Sequence, residues 1–288
     1  MTPADIPDVL TLHGVADQTV PLVLDSPHSG VSYPADFDAI APMPLLRQAE
    51  DTDVHVLFGD AVAVGAVMLA AQFPRAYLDA NRAEDDMDPA QVAGPPPFPL
   101  VPGPKARLGI GLCWTLVPPD GSPMYAGPLP AAALRHRVEV YHRPYHAALQ
   151  HLIDATHARW GQVWHINCHS MPEFPSALHK DEDPTVARAD FVLGDRDGTT
   201  CAPEFTETVR DWLVGRGYSV KVNDPYKGVE LVRRHGHPAE GRHSLQVEVN
   251  RGLYMDEATR ARNDRFEATR GTLRGLAGHL AEFVAGRV

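Results

Sequence analysis

Val20-Pro-Leu-Val-Leu-Asp-Ser-Pro-His-Ser-Gly30 carries the pattern that decides the fold, a short apolar run followed by a polar tip. Ser26-Pro27 breaks the run, so Val20–Leu24 reads as a strand that ends at residue 25. Working outward, Asp51 or Thr52 can cap a helix in which Val54, Leu57, Phe58, Ala61 and Val62 recur at helical spacing. Ala66–Ala70 and Ala76–Asp79 read as the next two strands. Further strands are expected at Val163–Ile166, Phe191–Leu193, Ser219–Val222 and Ser244–Val249. Helical patterns fill residues 130–160, where Pro144 predicts a break, and residues 203–214 and 256–286. Strands that alternate with helices imply an α/β fold, with a mostly parallel sheet covered on both faces. Residues 89–104 hold seven prolines and two glycines, which predicts a loop without regular structure inside one domain spanning 1–288.

The formal charge of −11 argues against a general nucleic-acid or anionic-membrane binder, because phosphate binding needs a basic surface. An acidic protein can still take an acidic substrate where local arginines outweigh the distant field. Cys113, Cys168 and Cys201 are too scattered for a disulfide framework or a paired-cysteine zinc site. The N-terminus shows no signal-peptide pattern, and no stretch approaches the ~20 apolar residues of a membrane span. A cytoplasmic location is the resulting expectation; oligomeric state is not legible.

The polar clusters carry the chemistry. His28, Asn81, Arg82 and His169 all fall just past predicted strand ends, where open α/β sheets place their functional crevice. Neutral imidazole is a favoured zinc donor, which makes His28 and His169 candidate ligands. His165 lies four residues before His169 on the same extended run, ~13 Å away, and reads as structural. A carboxylate is the natural third ligand, and Glu50-Asp-Thr-Asp53 offers three. Asp51 as helix cap with Asp53 as ligand satisfies both demands, and the reverse assignment, with Asp51 as ligand, stays open. Gln246, Glu248 and Asn250 share one face of a strand whose other face is Leu245, Val247 and Val249. Three polar residues on an inner strand point to a site, with Glu248 as the general base. Arg82 has the planar fork that grips a carboxylate, Asn81 can donate beside it, and Arg75 and Arg251 are further candidates. His142 and His146 straddle Pro144 and read mainly as structural, with His146 a possible substrate contact at the site. His235, His237 and His243 are expected in a Gly/Pro-containing loop, Arg233 to Arg242, over the crevice. Cys168 faces away from His169 and reads as core.

These residues sit in seven motifs: Ser26-Pro-His-Ser-Gly30, Asp51-Thr-Asp-Val-His55, Arg75-Ala-Tyr-Leu-Asp-Ala-Asn-Arg82, Arg143-Pro-Tyr-His146, Asn167-Cys-His-Ser-Met171, Asp197-Gly-Thr-Thr-Cys201 and Gln246-Val-Glu-Val-Asn-Arg-Gly-Leu-Tyr-Met255. In this order the chain resembles the N-formylglutamate amidohydrolase (deformylase) family, relatives of the zinc carboxypeptidases and aspartoacylases. The resemblance implies a three-layer α/β/α, carboxypeptidase-like (phosphorylase/hydrolase-like) fold with a mixed, mostly parallel sheet. It implies one zinc ion on His28, on a carboxylate at the helix start and on His169. It further implies that Asn81 and Arg82 hold a carboxylate of a small acidic N-acyl amino acid and that Glu248 activates water. The expected reaction is hydrolysis of N-formyl-L-glutamate to formate and L-glutamate. Another N-acyl amino acid or short peptide is the alternative substrate, and a non-catalytic domain that binds an acidic ligand is the alternative class.

Overall fold

Seven strands build the central sheet of the computed structural model, which describes residues 4–117, 121–175 and 182–287. In chain order they are β1 (Leu10–His13), β2 (Leu22–Ser26), β3 (Val67–Ala71), β4 (Val163–Met171), β5 (Phe191–Gly194), β6 (Val220–Val222) and β7 (Arg242–Asn250). Their spatial order is β1-β3-β2-β4-β7-β5-β6. The β3-β2-β4-β7 stretch is parallel throughout, and so is β5-β6; β1 and β5 run antiparallel to their inner neighbours. The sheet is therefore mixed and mostly parallel, and β2, β3 and β4 are buried end to end.

Strand alternation divides the apolar core into two. On β4, Trp164, Ile166 and Cys168 join Leu245, Val247 and Val249 of β7 in one core, with α1 (Val54–Phe58), α3 (Pro203–Val214) and α5 (Phe266–Ala285) supplying the covering layer. The opposite face carries α2 (Arg143–Trp160), whose Tyr145, Leu149, Leu152 and Ile153 pack into the second core with Val23, Val67 and Leu69. That second face also bears Asp25, His165, Asn167, His169, Gln246 and Glu248, all buried. Apolar residues on one side and a polar line on the other leave the inner strands with a chemically active surface. Among the described residues, no helix is long and apolar enough to cross a membrane.

Several boundaries differ from the sequence reading, each for a local reason. Ala76–Asp79 is not a strand: Tyr77 and Leu78 donate their backbone N–H groups to the Pro74 carbonyl, forming a tight turn that buries both side chains without sheet partners. The expected helix over 130–160 consists of Ala131–Arg137, a wide π-type turn over Val138–His142, and then α2, with Pro144 in its first turn where no backbone donor is needed. Glu230–His235 forms a helix, α4, and His243 belongs to β7, so the expected loop over Arg233–Arg242 shrinks to a few residues. The terminal helix begins at Phe266, ten residues later than the sequence suggests. The Pro-rich stretch holds only a single turn at Pro89–Gln91 and a two-residue bridge at Val92–Ala93. β4 runs on to Met171, so His169 projects from inside a strand rather than from beyond its end.

Candidate metal centre and active site

His28 leaves the tip of β2, Asp51 precedes α1, and His169 stands on β4, yet their ligand atoms all lie within 4.8 Å of one another. The Asp51 N–H bonds to the His28 carbonyl at 3.0 Å, which ties the two loops together. Hydrogen-bond partners engage the Nε2 atoms on the far sides of the rings. His28 Nε2 lies 2.7 Å from Asp79 Oδ1, an acceptor, so this nitrogen carries the proton. Asn167 gives its amide N–H to Asp25 Oδ1 at 2.8 Å, which turns its carbonyl oxygen toward His169 Nε2, also 2.8 Å away. Both Nδ1 lone pairs then face Asp51 Oδ2, at 3.3 Å and 3.1 Å. Two imidazole nitrogens and a carboxylate oxygen turned on one another can hold a cation between them, and this donor set suits zinc. The buried partners behind the rings are the kind of outer support that orients metal ligands.

Asp51 is buried, which opposes its charge, but the adjoining His169 and His28 rings and the Arg251 guanidinium hold its carboxyl well below the usual range. Arg251 donates to Asp51 Oδ1 at 2.9 Å and, through Nε, to Ser170 Oγ at 3.1 Å. Asp53, expected as the ligand, is not brought to the histidines. Its backbone is left-handed (φ 61°), which reverses the chain between the two acids and turns its carboxylate outward onto Arg262 at 2.7 Å. Asp53, not Asp51, occupies the cap position of α1, and its backbone carbonyl accepts the Val56 and Leu57 N–H groups.

Next to this trio opens a cavity of about 740 Å³ lined by His169, Glu248, Arg75, Asn81 and Arg82, among others. The parallel register pairs Glu248 directly with His169, so both side chains leave the sheet on one face. Burial pushes the Glu248 carboxyl up to about 7, with the Asp51 charge adding to the effect against the pull of His169, Arg75 and Arg251. Gln246 donates to Glu248 Oε1 at 2.9 Å and fixes its rotamer. A carboxyl poised near neutrality is suited to accept and return a proton.

Asp79 organises the opposite wall. Besides His28 it accepts the Asn81 N–H at 2.9 Å and the Arg75 Nε–H at 2.9 Å, while Arg82 stands 3.6 Å off. The amide of Asn81 lies beside His169, and its oxygen accepts the Leu231 N–H at 3.0 Å at the start of α4. His146 does not reach the cavity. It donates from Nε2 to the Ala80 carbonyl at 2.9 Å, just as His142 does to the Arg82 carbonyl, and the two stacked rings brace the Asn81–Arg82 turn from behind. Their i,i+4 spacing puts both rings on one face of the helical run.

The chain matches the N-formylglutamate amidohydrolase family over residues 20–255. It belongs to that family. The crystal structure of N-formylglutamate amidohydrolase from Ralstonia eutropha JMP134 is 47% identical, with a TM-score of 0.92 over 98% of this chain and 100% of that one. An N-formylglutamate deformylase of Pseudomonas aeruginosa is 30% identical over 265 residues, 89% of this chain and 91% of its own. A gene product of Agrobacterium tumefaciens, 17% identical, shares the fold at a TM-score of 0.66 over 96% of each chain.

Within this N-formylglutamate amidohydrolase family member, two site residues escaped sequence reasoning. Asp79 lies in the quoted Arg75–Arg82 motif but read as the end of a strand. Arg251 was one candidate among several for a substrate carboxylate, whereas its guanidinium is committed to Asp51. His165 is indeed away from the metal ligands. It bonds Asp25 at 2.8 Å and Ser244 at 2.7 Å, and Asp25 also accepts from Tyr145 at 2.6 Å. A buried chain thus runs from His165 through Asp25 and Asn167 to His169.

Proposed function

We propose that this chain is a zinc-dependent amidohydrolase that converts N-formyl-L-glutamate to formate and L-glutamate. The observation that carries the reading is the convergence of His28 Nδ1, His169 Nδ1 and Asp51 Oδ2 beside a buried, near-neutral Glu248. The names of the family and of the relatives support the substrate. Zinc on those three side chains would supply Lewis acidity toward an amide carbonyl and toward water.

The protein's own groups do the rest. Glu248 takes a proton from the attacking water as its oxygen bonds to the formyl carbon. When the C–N bond breaks, the same carboxyl returns that proton to the leaving amine, so the products are formate and the free amino acid. Arg82, with Asn81 at its side, receives a carboxylate of the substrate, and Arg75, held by Asp79, lends positive potential to the same wall. Such anchoring converts binding energy into orientation of the amide over Glu248.

Formate release from N-formyl-L-glutamate is the direct test. Purified protein is expected to release it, to lose about 100-fold or more of that rate after chelation, and to regain it with about one equivalent of zinc. Undiminished release from chelated protein would overturn the metal, and no release from zinc-loaded protein would overturn the substrate.

A further inference from the structure

The cavity wall holds six cationic side chains, and four are already committed. Arg75 bonds Asp79 at 2.9 Å and lies over the Trp114 ring at 5.1 Å. Arg251 is bound to Asp51, Lys227 to Asp197 at 2.9 Å, and Arg260 to Thr52 at 2.8 Å. Two remain. Arg82 is buried with no hydrogen-bond partner for Nε, and the nearest carboxylate, that of Asp79, stands 3.6 Å away. Among the described residues Lys105 forms no ion pair; its half-buried ammonium feels Arg82 and Arg75 as like charges and the Glu182 carboxylate as an opposite one. Two cations on the wall of one cavity, neither hydrogen-bonded to a carboxylate among the described residues, are placed to receive two anionic groups of the ligand.

The backbone shows that Lys105 is placed rather than adventitious. It sits in the turn Pro104–Arg107 of the insertion that follows the Pro-rich stretch. That insertion docks on the turn bearing Asn81 and Arg82: the Asp79 N–H bonds to the Leu112 carbonyl at 2.7 Å, and the Leu112 N–H to the Asp86 carbonyl at 2.7 Å. Asp86 Oδ1 also accepts the Gly103 N–H at 2.7 Å, just before the Lys105 turn. Gly111 permits this contact, since a Cβ there would come within 2.4 Å of the Asp86 carbonyl oxygen. Ile110 and Trp114 of the same insertion line the cavity alongside.

We propose that Lys105 is a specificity-determining residue that receives the side-chain carboxylate of a dicarboxylic substrate, while Arg82 and Asn81 hold its α-carboxylate. This rests on the amidohydrolase reading above and adds the basis for choosing an acidic over a neutral N-formyl amino acid. N-formyl-L-glutamine, which has the same length but lacks the second charge, is the matched comparison.

The experiment compares zinc-loaded wild type, Lys105→Met and Lys105→Arg on N-formyl-L-glutamate and N-formyl-L-glutamine. In Lys105→Met the glutamate-to-glutamine ratio of kcat/KM is expected to fall roughly 10- to 100-fold, mainly through KM for the dicarboxylate, as for loss of one charged hydrogen bond. Lys105→Arg is expected to restore most of the ratio. A ratio unchanged in Lys105→Met overturns the proposal. If wild type releases formate from neither substrate, the proposed reaction falls instead. Calorimetric binding of L-glutamate against L-glutamine to the same proteins then decides Lys105 separately, since equal preference in wild type and Lys105→Met would reject it.

Discussion

Glu248→Gln is expected to lower turnover by about 10³-fold or more while the metal remains bound, because the amide keeps the shape of the carboxyl but cannot take a proton. A second readout comes from its buried charge. Burial raises the Glu248 carboxyl to about 7 in the folded protein against 4.5 as its ordinary value. The folded state therefore prefers the protonated form. Its stability is fully present below about pH 4.5 and declines as pH rises toward 7, where a bare carboxylate must be kept in the interior. Glutamine mimics the protonated state at every pH. Metal-free Glu248→Gln should thus gain about 3 kcal/mol over metal-free wild type at pH 8 and almost nothing at pH 4. Urea unfolding at both pH values measures this. Turnover within tenfold of wild type would remove Glu248 from the reaction, and an equal gain at both pH values would contradict its raised carboxyl.

The second large effect separates the two acids at the helix start. Asp51→Ala is expected to reduce bound zinc from about one equivalent to almost none and to abolish activity, since only two ligands remain. It also leaves the Arg251 guanidinium buried without its carboxylate, at a cost of about 3–5 kcal/mol in folding stability. Asp53→Ala removes a partly exposed pair with Arg262, worth about 1 kcal/mol or less, and should leave zinc in place. Elemental analysis with denaturant unfolding checks both variants. Zinc lost from Asp53→Ala and kept by Asp51→Ala would reverse the assignment.

That pair of acids also marks where the sequence stops being legible. Inner strands announce themselves by apolar runs, and the period of two at Gln246-Val-Glu-Val-Asn250 puts Glu248 on the polar face, where the structure has it. Cys168 follows the same alternation into the apolar core. The choice between Asp51 and Asp53 depends instead on one left-handed residue, and side-chain pattern carries no record of its φ. Tyr77 and Leu78 mislead for a related reason. They are buried as thoroughly as strand residues, but inside a turn, so hydrophobicity alone assigns them to a sheet they never join. His146 depends on which backbone carbonyl its helix face meets, and Lys105 on the path of a segment whose prolines erase any periodicity.

The rung shared by His169 and Glu248 has a consequence for how the enzyme should age and fail. Strand spacing, roughly 4.8 Å, sets the interval between metal ligand and base. Sheet hydrogen bonds guard that interval from the loosening that afflicts loops, so it survives until the sheet itself parts. Lys105 rides on an insertion with far fewer ladder bonds. Under mild heat or denaturant, then, such a protein should become indiscriminate before it becomes inert. Variation in the insertion can likewise retune the choice of substrate without disturbing the chemistry beneath it.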